Sequence, residues 1–246
     1  MRQHFKNRPN WSLRQKLALT ARILAFGEHD SGIAGQITAR GKKPGTMWTA
    51  CFGLGFDEIC AKDFLLVDND LNVLEGAGIP NPSNRFHLWI YRKRPDVTSI
   101  VHTHPPFTSA LSMLGVPLLI SHMDTAMFYE DCAWLKEWPG PPIGDEEGDL
   151  ISKALGKKRS ILLAHHGQLC AGETIEQAAI LAFHFERAAA MQLRAMSAGS
   201  IKPLPKSAGR AAHDYRLKSE PLNATFDYYA RQAIKREGKE VLTENK

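Results

Sequence analysis

No run of 18 or more apolar residues occurs in this sequence, so no segment reads as a membrane-spanning helix. The two most apolar stretches fall short. Residues 17–26 are interrupted by Thr20 and Arg22, and residues 111–120 carry Gly115 and Pro117. The first of these leads to no small-residue cleavage site, so no secretory leader is expected. Cysteine is also scarce. Cys51, Cys60, Cys132 and Cys170 stand far apart without a C-x-x-C pair, which suits neither a zinc knuckle nor a redox dithiol. They read as buried thiols in a reducing, cytoplasmic compartment. Internal repeats and low-complexity blocks are missing, as is the aromatic ladder of an RNA-binding sheet. The net charge of +5 gathers mainly near the two ends and reads as solvated surface, with no nucleic-acid or membrane partner expected. A basic excess of this kind also helps to gather a small anionic substrate.

What is present is enough for a folded core. With 246 residues, 43% hydrophobic and 23% charged, the chain has the length of a single α/β domain and can bury about 70 to 75% of its unfolded surface. Ser12 followed by apolar residues at helical spacing and by Gly27 predicts a first helix. Short segments at 36–40 and 47–52 predict antiparallel strands, and 64–67 with 71–74 a hairpin. Ser83 is the expected cap of a helix carrying Phe86, Trp89 and Ile90, which Pro95 ends. A strand over 97–104, a helix over 108–114, a strand over 117–120 and a strand over 161–164 follow. Residues 129–149 read as a long functional loop. Thr174 and Gln177 form a capping-box pattern for a long helix through Arg194. Residues 201–207 read as an exposed linker, and 225–236 as a last helix before a frayed polar tail.

The chemistry concentrates in histidine. His102 and His104 lie two apart on a predicted strand, so their imidazoles leave one face with Cα atoms about 7 Å apart, within reach of one ion. A divalent ion held by three neutral imidazoles keeps a position open for substrate. His165 and His166 are both candidates for the third ligand, at a strand end where Gly167 lets the backbone come close.

Arg94-Pro95-Asp96, Val101-His102-Thr103-His104-Pro105 and Leu162-Leu163-Ala164-His165-His166-Gly167 resemble, in that order, the signature stretches of the class II aldolase/adducin family. The resemblance spans about residues 13 to 200. It implies an α/β fold of three layers, α/β/α, around a central, mainly antiparallel sheet. Residues 1–205 would form the catalytic domain, and 206–246 a helical extension and polar tail packed on it. It implies one divalent ion per chain, zinc, manganese, cobalt or iron, bound by His102, His104 and His166, with His165 in reserve. It further implies a homotetramer with active sites between subunits. The ion would act as a Lewis acid on a hydroxyl and carbonyl of the substrate and favour an enolate as a carbon–carbon bond breaks.

The sequence departs from the family pattern where the sugar-phosphate aldolases act. Their glutamate, four residues before the histidine matching His87, is Ser83 here, and a serine hydroxyl accepts no proton near neutral pH. Their phosphate-binding segments become Gly35-Gln36, Gly53-Leu54-Gly55 and Asn81-Pro82, with fewer donors for a dianion. Residues 81–87 look similar to the branch that decarboxylates hydroxylated aromatic or pyridine carboxylic acids. Loss of carbon dioxide needs no base in the bond-breaking step, only the metal and a cation. Arg85 is the first candidate cation and Arg40 the second, because an arginine fork matches a carboxylate. Asn84 and Gln36 would orient substrate oxygens, Gly53 would offer its backbone N–H, and Tyr129 would reach in from a neighbouring subunit. His87, His122, Asp124, Tyr228 and Tyr229 are weaker candidates. The expectation is a metal-dependent carbon–carbon lyase that decarboxylates a hydroxy acid, aromatic ones included. The alternatives are an aldolase acting on a small hydroxy-carbonyl compound, an adducin-like non-catalytic binding module, and a metal-dependent oxygenase.

Overall fold

Alternation along the strands builds the middle layer: Ile161 and Leu163 pack into one buried cluster while Leu162 packs into the other, and Ile100 and Val101 divide in the same way. A sheet with two apolar faces must be covered on both. The computed structural model describes residues 8–138, 140 and 145–244. Its eight strands are β1 (Gln36–Arg40), β2 (Met47–Ala50), β3 (Phe64–Val67), β4 (Val73–Glu75), β5 (Ser99–Thr103), β6 (Cys132–Leu135), β7 (Ser160–Leu163) and β8 (Gly167–Gly172). They form one sheet in the order β4-β3-β2-β1-β5-β8-β7-β6. Every pairing is antiparallel except β6 with β7. The sheet is therefore mainly antiparallel, as expected.

One face is covered by α1 (Leu13–Phe26), α5 (Ile175–Ala198) and α7 (Ser219–Glu237), the other by α2 (Arg85–Lys93) and α4 (Asp145–Leu155). Two shorter helices, α3 (Pro106–Ser112) and α6 (Lys206–Arg216), complete the set. Ser12 and Gln15 close a capping box on α1, and Gly27 ends it. Thr174 caps α5 by accepting from the Gln177 N–H at 3.1 Å. The Gln177 side chain takes the Glu173 N–H at 2.8 Å instead of closing the box on Thr174. No helix among the described residues is long and apolar enough to cross a membrane.

Several expectations are corrected. Asn81, not Ser83, makes the turn into α2: its Oδ1 accepts from the Ser83 N–H at 2.9 Å, and a 3-10 turn over Pro82–Asn84 leads into the helix. Residues 117–120 form no strand. The Gln192 side chain on α5 takes their polar groups, accepting from Leu119 N at 2.7 Å and donating to Pro117 O at 3.0 Å. The expected loop over 129–149 contains β6 and the start of α4; residues 139 and 141–144 lie outside the described set. Strand β8, glycine-bounded and buried along its whole length, was not expected. Helix α6 begins within the expected linker, and α7 starts six residues earlier than predicted. The tail is not frayed as far as Leu242, whose carbonyl accepts from Gln15 Nε2 at 3.0 Å while Val241 is buried. Of the cysteines, Cys170 is fully buried and the other three only partly.

Candidate metal centre and active site

Three elements end at one place. β5 carries His102 and leads directly to His104, while the turn between β7 and β8 carries His165 and His166. His165 adopts φ +54°, in the left-handed region, and its N–H donates to Ser112 O at 3.1 Å. Its side chain is exposed, and the reversal delivers the following residue, His166, to the other histidines. One ring nitrogen from each of His102, His104 and His166 lies within 4.8 Å of the others, and the ring centroids are 4.6 to 4.8 Å apart. Between the two histidine candidates for the third position, the geometry brings His166 into the cluster and leaves His165 outside. Gly167 makes the approach possible, because a β-carbon there would lie 2.4 Å from Thr103 O and 2.8 Å from His104 Cδ2.

The ring protons are ordered by the surroundings. His102 Nδ1 lies 2.7 Å from Gln168 O, and a carbonyl only accepts, so Nδ1 carries the proton and Nε2 presents its lone pair. That Nε2 lies 2.9 Å from His104 Nε2. Two nitrogens on one tetrahedral ion stand about 3.3 Å apart, so the pair needs only a few tenths of an ångström to admit one. Burial first, and then the neighbouring His104, His166 and His87, holds His102 well below the ordinary imidazole value, against the opposing Gln168 carbonyl. Burial, then His104, lowers His166 to about 4, and burial lowers His104 as well. Neutral, convergent imidazoles are the donor set that a divalent ion takes. No carboxylate belongs to the cluster among the described residues.

Behind the histidines lies a buried hydrogen-bonded group that sequence reasoning missed. Gln168 Nε2 donates to Thr103 Oγ1 at 3.1 Å and to Ala182 O at 3.0 Å, and His29 Nδ1 lies 3.0 Å from the same hydroxyl. These links tie β5 and β8 to α5 and fix the Gln168 carbonyl that orients His102. Their only sequence signal was polarity within apolar runs.

Of the expected site residues, Gln36 sits directly opposite His102 in the β1–β5 register, on the same face of the sheet. Asn84 donates to Thr49 Oγ1 at 2.8 Å, and His87 Nδ1 lies 2.8 Å from Thr38 Oγ1. Gln36 Oε1, Asn84 Oδ1 and His87 Nε2 are all buried without a partner. Gly53, at φ +100°, lines a small cleft with Gly35, Gln36, Thr49, Phe52, Leu54 and Asn81. Ser83 is half-buried and Arg85 exposed at the start of α2.

Two expected residues are not brought to the cluster. Arg40 ends β1 four residues beyond Gln36, about 13 Å along the strand. Its guanidinium is spent on the carbonyls of Val97, Tyr91 and Arg94, the last at 2.8 Å, and lies over the Tyr91 ring. Tyr129 precedes β6, at the end of the sheet opposite His166, and its ring packs on Gly209 beneath Arg210. Asp124 pairs with Arg187 and Arg216, and Tyr229 packs on Phe183 and Phe26 of its own chain.

The fold agrees with what comparison finds. The family described as Class II Aldolase and Adducin N-terminal domain matches residues 15–193. The chain belongs to this family. A 4-hydroxy-3-prenylphenylpyruvate oxygenase/4-hydroxy-3-prenylbenzoate synthase of Streptomyces roseochromogenus subsp. oscitans is 30% identical over 188 residues, 75% of this chain and 68% of that protein. A 3,4-dihydroxyphthalate decarboxylase of Arthrobacter keyseri is 30% identical over 210 residues, 79% of this chain and 83% of that one. Among solved structures, an L-fuculose 1-phosphate aldolase from Glaciozyma antarctica PI12 superposes with a TM-score of 0.86 at 27% identity, covering 97% of this chain and 98% of the other. Decarboxylases and aldolases of this family are lyases, and this class II aldolase-like chain is an enzyme of that class.

Proposed function

We propose that this family member is a divalent-metal-dependent carbon–carbon lyase that decarboxylates a hydroxy carboxylic acid, an aromatic one in the leading case. The observation that carries the reading is a cluster of three imidazoles that contains no carboxylate, with Ser83 where the family's aldolases place glutamate. His102, His104 and His166 would hold the ion, which when bound supplies Lewis acidity toward a substrate oxygen. His102 keeps its Nδ1 proton on Gln168 O, so its Nε2 stays free to ligate across the neutral range. Arg85, exposed at the start of α2, would take the carboxylate that leaves as carbon dioxide. Gln36 and Asn84 would orient substrate oxygens, and Gly53 would offer its N–H. The carbon left behind takes one proton, which Ser83 would relay by giving its hydroxyl proton as it takes one from water, the hydroxide left being taken up by the released carbon dioxide as bicarbonate.

The reading includes a homotetramer. Tyr129 stands far from its own histidines, so any contribution from it to a site comes from a neighbouring copy. Residues 1–205 are taken as the catalytic domain and 206–246 as an extension packed on it. Zinc, manganese, cobalt and iron all suit the donor set.

Metal analysis of protein purified without chelators, beside a His102→Ala/His104→Ala variant, tests the site. About one ion per chain in the native protein and none in the variant is expected; equal content in both sinks the metal reading. An anaerobic screen of hydroxy-aromatic acids for carbon dioxide release then tests the reaction. The overall superposition on an L-fuculose 1-phosphate aldolase favours aldol cleavage as the second reading. Release of an aldehyde from a hydroxy-carbonyl substrate, without carbon dioxide, would select it, and strict dependence on oxygen would select an oxygenase.

A further inference from the structure

Glu186 lies on α5, outside the histidine cluster, and is only 6% exposed. Its Oε1 accepts from the Phe107 N–H at 2.7 Å, and its Oε2 accepts from the Thr108 N–H and the Thr108 hydroxyl, both at 2.7 Å. Burial raises its pKa above the ordinary carboxylate value, more than these three donors lower it, so the carboxylate is held here at a desolvation cost that its hydrogen bonds only partly offset. The Phe107 ring is held as well, with the Arg194 guanidinium 4.9 Å from its centroid.

The anchored pair is separated from His104 by Pro105 and Pro106 alone. Proline fixes φ near −65°, and the residue before a proline is restricted to extended backbone, so this link is a short stiff strut. Pro105 has φ −71° and ψ 156°, and the Ser109 N–H donates to its carbonyl at 2.8 Å, closing the first turn of α3. A stiff strut clamped at Phe107 and Thr108 fixes the chain direction at its other end. His104 needs this more than His102 does. The His102 ring is oriented by Gln168 O, whereas no protein group among the described residues bonds the second ring nitrogen of His104.

We infer that Glu186 is a positioning residue for the metal centre, orienting His104 through its three hydrogen bonds to residues 107 and 108 and the diproline strut. The inference rests on the three-histidine metal reading and adds to it the part of the protein that sets the direction of one ligand. Glu186 is not one of the three clustered side chains that would hold the ion. A neutral amide in its place keeps the size and one accepting oxygen but sets its NH2 against either the Phe107 N–H or the Thr108 donors, so the clamp loses at least one of its bonds and the charge behind the rest while the helix surface is preserved.

Cobalt(II) binding to the purified chain, with dissociation constants by calorimetry and the visible absorption of the bound ion, tests it on the native protein, Glu186→Gln, Glu186→Asp and Thr108→Val. The Gln variant is expected to bind about tenfold or more weakly, with changed cobalt absorption, while Asp and Val lose less. A cap that only stabilises α3 would lower Tm and leave both cobalt readouts at native values; that result in a folded Glu186→Gln overturns the inference. Where Glu186→Gln fails to fold, Thr108→Val decides, since it removes one of the three bonds and must still weaken binding measurably. A native chain that takes up no cobalt overturns the metal reading itself, whereas equal binding by native and variant chains overturns the positioning role alone.

Discussion

Gly167 is the position at which the site tolerates no side chain. Thr103 O and His104 Cδ2 already occupy the volume that a methyl group would take, and neither is the free end of a flexible chain. Gly167→Ala is expected to cost at least about 2 kcal/mol in urea unfolding, because overpacking forces the backbone of β5 and β8 apart. It should also reduce metal content, since His104 moves with Thr103. Gln168 behaves differently, because its carbonyl orients His102 while its side chain only anchors that carbonyl. Gln168→Leu is expected to cost about 1 to 3 kcal/mol by leaving Ala182 O and Thr103 Oγ1 with one partner fewer. His102 and His104 are legible in the residue order itself, because ligation restricts both residue type and spacing, whereas the choice of His166 over His165 rests on the reversal at φ +54° that turns one outward and the other in. The role of Arg40 is not, because the carbonyls that consume its guanidinium belong to Val97, Tyr91 and Arg94, more than 50 residues away along the chain.

Segments whose partners are close in sequence behave as the local pattern says. Helix α1 has its cap, its apolar spacing and its glycine stop within 16 residues, and all three are as read. Residues 117–120 fail for the opposite reason. Their apolar run suggests a strand, but they pair with no strand among the described residues, and the Gln192 side chain takes the place of a ladder. Gln192→Ala is expected to destabilise the protein by about 1 to 3 kcal/mol, seen as a lower urea midpoint, because Leu119 N and Pro117 O both lose their bonds. Strand β6 escapes a reading of the sequence because its partner β7 lies 28 residues on, and β8, though it forms a tight antiparallel pair with β7, is bounded by Gly167 and Gly172, is buried along its whole length and shows no alternation.

The molecule as a whole has an acid and an alkaline limb to its stability. Burial lowers His29 to about 3 and His184 to about 4, so below pH 6.5 the unfolded chain binds more protons than the folded one. Stability should fall as pH drops from about 6.5 toward 4. His213 shifts the other way. Its hydrogen bond to Asp131, 3.2 Å away, raises its pKa more than burial lowers it. Its contribution is complete below the unfolded value and is lost as pH rises through the folded one. Burial works against the charge of Asp131, but His213 and Arg159 outweigh it and keep that carboxylate low, ionised throughout this window. Urea midpoints measured from pH 4 to 9 should therefore decline on both sides, and His213→Gln should flatten only the alkaline one. A bound ion adds a separate increment, about 2.7 kcal/mol at a hundred times its dissociation constant, which a chelator should remove as a lower Tm in calorimetry.

The residue order alone carried the α/β class, the first helix and the His102–His104 pair with a third histidine at 165 or 166, since each depends on composition or on neighbours a few positions apart, while the fold chose His166. The eight-strand order, the placement of β6 and β8, the diversion of Arg40 and the distance of Tyr129 from its own histidines came from the folded chain. Each of these depends on which distant backbone groups satisfy one another, and no short-range pattern encodes that.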